Sequence, residues 1–377
     1  MTSALITDAT AFVVLFAISA WLRRCFKHHG YSATGAGGIV MSTGIFTAFA
    51  FTQLPFYSPF LGRLATIEIF IIWLFLARSF LASLINRHFR MHYAHPLRRF
   101  AIGTWVAATA VLATLAARTI PEVLWFSRAL TLIAVIIYVP YVLLFVRGYI
   151  ALWRRPFTQR ANGVILLATV STQSIIIALH TTFGAGLPSG IAFAMLLFDS
   201  IFLVSGLLLI TLHYFSFGSW FLAIEWKNAN CIIHGAVSIS GLALVLLPGV
   251  DEDLPFNVWR VALLLFIVIE AIEFIRMLER GQWRGWRPGL VVYDVTQWTR
   301  NFTFGMFYAF SLELYRHLDQ SRFQSTAGDA EIALLHFIVD WGQYVVLAIL
   351  IIEMTLFLRA RLYRFRPAGA HAGRTSQ

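Results

Sequence analysis

The stretch that decides the fold reads FAIGTWVAATAVLATLAARTIPEVLWFSRALTLIAVIIYVPYVLLFV, residues 100–146. It holds two apolar runs, each long enough to cross about 30 Å of hydrocarbon as a helix. Small or polar residues (Gly, Ala, Ser, Thr, Asn, Gln) fill about eleven positions of 100–117 but only two of 130–147. The stretch therefore predicts two consecutive membrane helices in different surroundings.

The composition of the whole chain is that of a membrane protein. Of its 377 residues, 59% are hydrophobic and 12% are charged, and the mean hydropathy is +0.74, whereas a soluble domain carries roughly 25% charged residues. Two isolated cysteines, Cys25 and Cys231, indicate neither a disulfide framework nor a metal site. We expect no metal and no cofactor. We also expect no nucleic-acid partner, because the basic residues behind the net charge of +11 are concentrated in the loops between apolar runs.

Apolar runs recur eleven times, and the basic loops between them predict the topology. The predicted spans are 5–22, 36–53, 64–84, 99–117, 124–147, 162–181, 190–213, 231–249, 258–278, 291–314 and 334–358. Lys and Arg concentrate in alternate loops, beginning with RRCFKHH at 23–29 and ending with the C-terminal tail. By the positive-inside rule those loops are cytoplasmic. We therefore expect a multi-pass inner-membrane protein with its N-terminus outside and its C-terminus inside, and with no cleaved signal peptide.

The alternation seen in 100–146 continues along the chain. The second, fourth, sixth, eighth and tenth spans are richer in small and polar residues than the spans between them. Small residues let helices pack closely, and large aliphatic residues face lipid. The prediction is an all-α polytopic fold in which ten helices form an inner five-helix pore ring within an outer five-helix ring. Residues 1–30 would be an extra anchor, 31–360 the ten-helix domain and 361–377 a basic tail.

Four segments carry a family resemblance. They are GGIVMSTGIF (37–46), HPLRRFAIGTWVAATA (95–110), ILLATVSTQS (165–174) and WTRNFTFGMFYAF (298–310), and all four lie on predicted inner spans or their entrances. In order and spacing they resemble the tellurite-resistance/dicarboxylate transporter family, which includes TehA and the slow-type anion channels. The extra first span and the scarcity of proline in the inner spans depart from the family pattern.

The resemblance implies a homotrimer of separate pores for small anions such as chloride, nitrate, sulfite or C4-dicarboxylates. It also implies a phenylalanine gate, which alignment of the TFGM run places at Phe304; the alternative is that Phe304 simply packs. An aromatic ring in a narrow pore blocks it by sterics and dewetting.

Residues on the inner spans are the remaining candidates for a pore lining. They are Thr43, Gly44, Gly103, Thr104, Thr109, Ser171, Gln173, His234, Ser238, Arg300 and Gly305. Arg300 either draws anions towards the constriction or snorkels to the interface. His234 is either an anion donor or proton-coupling group or a histidine satisfied by its neighbours. Buried acids are expected mainly on outer spans, away from an anion path; the exception is Glu313, near the outer end of an inner span, where it would face water at the pore mouth.

Two alternatives to an anion channel stay open at this stage. A proton-coupled dicarboxylate or sulfite carrier would depend on a titratable group such as His234. A di-iron membrane enzyme would use a histidine run such as His88, His92 and His95, near His28 and His29, although no HxxHH box is present. A haem site built from His180, His213, His234 or His336 is a weaker variant of the second alternative. We expect no enzyme, since no nucleotide or hydrolase motif is present.

Overall fold

The computed structural model describes residues 3–25, 30–154, 161–184, 189–216, 221–251, 253–286, 290–317 and 328–363. Eleven α-helices of nine or more residues account for most of these residues. They are α1 Ser3–Cys25, α2 Gly37–Ile45, α3 Pro59–Ile85, α4 Gly103–Thr119, α5 Leu124–Arg154, α6 Leu167–Phe183, α7 Ser189–Ser216, α8 Ile232–Leu246, α9 Asp253–Arg284, α10 Gln297–His317 and α11 Asp329–Tyr363.

Several of these helices are extended by other helical turns. Helix α2 follows a 3-10 turn at Thr34–Ala36 and continues through a π turn at Phe46–Ala50 and a 3-10 turn at Phe51–Gln53. Helices α4, α6 and α8 also begin with 3-10 turns, at Arg98–Ile102, Gly163–Leu166 and Asn228–Cys231. These turns use local hydrogen bonds for backbone groups that a helix end leaves without partners.

The chain is an all-α polytopic membrane protein. Within the described ranges no residue forms a strand, and eight helices are long and apolar enough to cross a membrane. These eight are α1 to α8, with their flanking turns. Helices α9, α10 and α11 are also long, at 32, 21 and 35 residues. A total of eleven crossings stays a prediction.

Burial separates the helices into two kinds. In the most apolar part of α2, α4, α6 and α8, between 78% and 89% of the residues are buried, against 22–33% for α3, α5 and α7. Helix α10 is buried along most of its length, whereas α9 and α11 are largely exposed. The helices that are rich in small residues are thus the buried helices.

Contacts between the buried helices form a closed cycle. Helix α2 packs against α4, α4 against α6, α6 against α8, α8 against α10, and α10 against α2. Glycines permit several of these approaches, because a Cβ at Gly44 would lie 2.6 Å from a Val111 methyl group and one at Gly305 would lie 2.7 Å from an Ile45 methyl group. The absence of a side chain at these points brings neighbouring helices close.

The other helices lie outside this cycle. Helix α3 packs on α4 and α2, α5 on α4 and α6, α7 on α6, α9 on α8, and α11 on α10. Helix α1 packs on α3, where Arg63 pairs with Asp8 at 2.9 Å and Ser19 donates to Glu68 at 2.9 Å. The described part of segment 1–30 is therefore attached to an outer helix, and residues 364–377 of the predicted tail lie outside the described residues.

Candidate functional site

A small cavity lies at the centre of the helix cycle. Its volume is about 10 Å³, and it is lined by residues from all five buried helices. The lining residues are Ile45, Ala48 and Phe49 of α2 and its π turn, Val111 and Thr114 of α4, Ser174 and Ile177 of α6, Ile239 and Leu242 of α8, and Met306 of α10. We call this the axial cavity.

The axial cavity is too small and too apolar to hold a hydrated ion. Room for one water requires roughly 10–15 Å³, so the cavity takes a single water molecule at most. Two hydroxyl groups, on Thr114 and Ser174, are its only polar side chains among the described residues. A narrow apolar section of this kind closes a pathway by dewetting.

Met306, rather than Phe304, is the α10 residue that lines the axial cavity. The Phe304 ring lies between α8, α9 and α10, with centroid distances of 4.9 Å to Phe266 and 6.2 Å to His234. Two residues along a helix are separated by about 200° of rotation. Phe304 therefore lies on a different side of α10 from Met306, towards α8 and α9, and its role as a gate stays a prediction.

An ion pair joins the C-terminal parts of α4 and α10 next to the axial cavity. Arg118 of α4 donates to Glu313 of α10 at 2.8 Å, and its guanidinium carbon lies 4.2 Å from the centroid of the Phe49 ring. Glu313 is also within 3.3 Å of Arg316 and 3.7 Å of His317. Phe49 itself lines the cavity, so a charged cluster sits directly against an aromatic side chain of the cavity wall.

A second charged cluster surrounds Arg300, away from the axis. Arg300 pairs with Glu270 and lies 3.6 Å from Glu273, both on α9. Arg276 pairs with Glu273 at 3.0 Å, and the Trp226 indole donates to Glu273 at 2.8 Å. The Arg300 charge is thus balanced by carboxylates. The sequence placed these acids on an outer span but did not place them next to Arg300.

His234 borders this cluster and is fully buried. Its Nε2 lies 3.8 Å from a Glu270 carboxylate oxygen, and neither ring nitrogen has a hydrogen-bond partner among the described residues. A satisfied structural histidine would have used at least one nitrogen. His234 faces α9 rather than the axial cavity.

Two of the other polar candidates face outer helices as well. Thr109 accepts from the Trp73 indole at 2.9 Å, and Gln173 donates to Asp199 at 2.8 Å. A similar bond from Trp259 to Ser311, at 2.9 Å, joins α9 to α10. Polar residues on the buried helices therefore hold the two layers together, because every polar group in a membrane needs a partner inside the protein.

The remaining candidates serve local backbone contacts. Thr43, Ser171 and Ser238 donate to carbonyls of their own helices, and Thr104 donates to Ala101 and Thr34 carbonyls. A Cβ at Gly103 would lie 2.6 Å from the Tyr141 hydroxyl and 2.7 Å from the Leu167 carbonyl. None of these residues lines the axial cavity.

The histidine run has structural contacts. His92 is buried, and its two ring nitrogens lie 2.9 Å from the Thr34 hydroxyl and 3.2 Å from the Ser83 hydroxyl. His88 contacts the Asn86 carbonyl at 2.7 Å, and His95 accepts from the Leu97 amide at 3.2 Å. The described residues contain no group of three or more metal-binding side chains. His28 and His29 lie outside the described residues.

No protein-family model and no curated protein sequence matches the chain. Its function is therefore inferred from the geometry of the helix cycle and from the sequence resemblance.

Sequence reasoning did not single out Phe49, Met306 or Thr114, and it named Glu313 without its pairing with Arg118. Phe49 and Met306 carry no distinguishing signal among many apolar residues. Arg118 and Glu313, however, are charges near the ends of two predicted inner spans. Two helices that are predicted to share a ring can bring such opposite charges together, so their positions in the sequence could have indicated an ion pair.

Proposed function

We propose that this protein passes small anions of the chloride, nitrate, sulfite or C4-dicarboxylate class along the axis of the five buried helices. The observation that carries the proposal is the axial cavity, to which all five helices of a closed cycle contribute side chains. A ring of helices with a narrow apolar centre is the architecture of a closed pore. The family resemblance points to the same substrates.

Electrostatics favour anions over cations on this path. No carboxylate of the described residues lines the axial cavity. Consecutive buried helices are separated by one outer helix, so all five run in the same direction if every helix crosses the membrane. Their N-termini then meet at one face, where helix dipoles attract negative charge. The basic loops assign this face to the cytoplasm.

The proposed closed section is the axial cavity, with Phe49 as its aromatic component. This replaces Phe304 as the residue expected to block the pathway. We further propose an inner-membrane location, an outside N-terminus and, from the resemblance, a homotrimer of independent pores.

Anion flux through reconstituted protein tests the proposal. We expect Phe49→Ala to increase chloride or nitrate flux severalfold, because a large ring is removed from the closed section. Phe304→Ala is the matched control, since the same ring is removed from the α8–α9–α10 interface. Equal fluxes for wild type and Phe49→Ala, with an increase in Phe304→Ala, would reject the axial assignment and restore Phe304 as the gate.

A proton-coupled carrier is the second candidate. The observation that favours it is His234, which is buried beside Glu270. Neither ring nitrogen of His234 has a hydrogen-bond partner among the described residues. A carrier would accumulate anions in response to a pH gradient, and His234→Gln would abolish that response. A channel would follow the anion gradient alone. Uptake measured with opposed anion and pH gradients separates the two mechanisms.

A further inference from the structure

A wide cavity lies between α9, α10 and α11, apart from the axis. Its volume is about 460 Å³, far larger than the axial cavity. Helices α9 and α11 are both outer helices, and α10 lies behind them. The cavity is therefore positioned to open sideways towards lipid rather than along the axis. We call it the lateral cavity.

One part of the wall is apolar and suited to acyl chains. Phe274 and Met277 of α9 line it from one side, and Ile349, Ile352 and Leu356 of α11 line it from the other. Phe274 and Ile352 are 57% and 59% exposed. Large exposed apolar side chains on outer membrane helices contact lipid tails.

The other part of the wall is charged, and most of its charges are already paired. Arg276 and Arg300 form ion pairs with Glu273 and Glu270. Two lining residues of opposite sign remain. Arg280 makes no hydrogen bond or ion pair within the described part of the chain, and a carboxylate oxygen of Glu353, a residue only 5% exposed, is buried without a partner there.

An unpaired buried carboxylate is costly unless a ligand supplies a donor. Arg280 and Glu353 line the same cavity from α9 and α11, so a ligand that carries both an anionic and a cationic group satisfies both. Arginine binds phosphate well because its planar guanidinium offers several donors. A primary ammonium group offers three donors to a carboxylate.

We propose that the lateral cavity binds an aminophospholipid with a zwitterionic headgroup of the phosphoethanolamine type. The phosphate contacts Arg280, the ammonium group contacts Glu353, and the acyl chains lie along Phe274, Met277 and Ile352. Basic pockets between membrane helices near the cytoplasmic face are known to hold lipid headgroups. The ion pairs around Arg300 form the inner wall, so a bound lipid would cover that cluster.

Lipid binding to the delipidated, full-length protein in detergent tests this proposal. The probes are phosphatidylethanolamine, phosphatidylglycerol and phosphatidylcholine with identical acyl chains, and soluble glycerophosphoethanolamine. Native mass spectrometry gives the bound fraction of each, and thermal unfolding gives the stabilisation. We expect at least about tenfold tighter binding of phosphatidylethanolamine than of phosphatidylglycerol, which corresponds to about 1.4 kcal/mol. Binding of the soluble headgroup as tightly as phosphatidylethanolamine would show that the acyl chains add little, and it would overturn the lipid assignment.

Two variants assign the headgroup contacts. Glu353→Gln keeps the shape of the side chain, and it is expected to remove the preference for phosphatidylethanolamine over phosphatidylglycerol. Arg280→Gln is expected to weaken binding of every phospholipid. Arg284→Gln is the matched control, because Arg284 lies on the same helix, stacks on Trp283 and does not line the cavity.

Three results would overturn the proposal. They are equal affinity of the wild type for the two lipids, an unchanged lipid preference in Glu353→Gln, or a lipid-independent oligomer whose formation depends on Glu353. The last result would assign the lateral cavity to a second copy of the chain, and light scattering in detergent detects it. None of these measurements depends on anion flux, so the lipid site and the proposed anion pathway can fail separately.

Discussion

The Arg118 guanidinium carbon lies 4.2 Å from the centroid of the Phe49 ring, and Phe49 in turn lines the axial cavity. Arg118 is held there by Glu313, at 2.8 Å. A cation over an aromatic face is attracted by the ring quadrupole. The wall of the axial cavity and the charged cluster beside it are therefore in direct contact.

Loss of the Glu313 charge is expected to increase anion flux. Glu313→Gln removes the carboxylate from Arg118 and leaves a more positive surface next to the axis, which raises the local anion concentration. The increase should be severalfold at low ionic strength and smaller at high salt, since salt screens exposed charges. Arg118→Gln should have the opposite effect.

The control for this pair is Glu331→Gln. Glu331 of α11 pairs with Arg260 at 2.7 Å, away from the axial cavity, and its neutralisation should leave flux unchanged. Equal effects of Glu313→Gln and Glu331→Gln would show that flux responds to general surface charge rather than to this cluster.

Gly163→Ala is expected to destabilise the protein. A Cβ at Gly163 would lie 1.9 Å from the Ala229 carbonyl oxygen, and a backbone atom cannot move aside as a side chain does. Overpacking typically costs about 1–3 kcal/mol. Gly190→Ala is the control, because a Cβ added at Gly190 would have no described atom within 4 Å. Thermal unfolding in detergent should show a lower midpoint for Gly163→Ala only.

We expect the stability effects of substituting Asp199 and Gln173 to be strongly coupled, that is, not additive. Gln173→Leu removes the donor from a carboxyl group whose other oxygen already lacks a partner among the described residues. Leaving a buried polar group unsatisfied costs about 1–3 kcal/mol, whereas replacing both partners is close to neutral. The double variant with Asp199→Leu should therefore be more stable than Gln173→Leu alone. Additive losses in the thermal unfolding of the two single variants and the double variant would contradict this.

His92 is expected to make stability depend on pH. Burial, and then the nearby Arg98 charge, lower the pKa of His92 below its ordinary value of 6.5. The unfolded chain therefore binds a proton at a higher pH than the folded protein does, and protonation favours unfolding. The contribution of neutral His92 to the free energy of unfolding is fully present above about pH 6.5. It is lost as the pH falls towards the lower pKa of His92 in the folded state.

The unfolding midpoint, measured across that pH range, tests the role of His92. His92→Gln should give a flatter pH dependence than the wild type, at some cost in stability because its contacts with Thr34 and Ser83 are weakened. The exposed His88, replaced by glutamine, is the control. A slope that changes in His88→Gln and not in His92→Gln would assign the pH dependence elsewhere.

The sequence predicted the fold well because the length of each apolar run and the size of its residues can be read from one continuous segment of the chain. The predicted span 124–147 lies within α5, Leu124–Arg154, and 99–117 lies within the helical segment 98–119. Helix ends were less predictable: α9 and α11 continue past their apolar runs to Arg284 and Tyr363, since charged residues can prolong a helix into water.

The candidate site was less predictable than the fold. Thr109 and Gln173 were assigned to a pore lining because they are polar residues on small-residue helices, yet they bond to Trp73 and Asp199 of outer helices. A polar side chain in a membrane needs a hydrogen-bond partner, and either water in a pore or a side chain of another helix can supply it. Composition does not distinguish the two environments.

The sequence by itself determined an all-α membrane protein in which small-residue helices alternate with aliphatic ones, because each property is set by the residues of one helix. The tertiary structure alone decided which side of each helix faces the axis. Phe304 and Met306 lie two positions apart on α10, which places them about 200° apart around the helix, and only Met306 reaches the axial cavity. That choice depends on how five helices are rotated against one another, and contacts between distant parts of the chain fix that rotation.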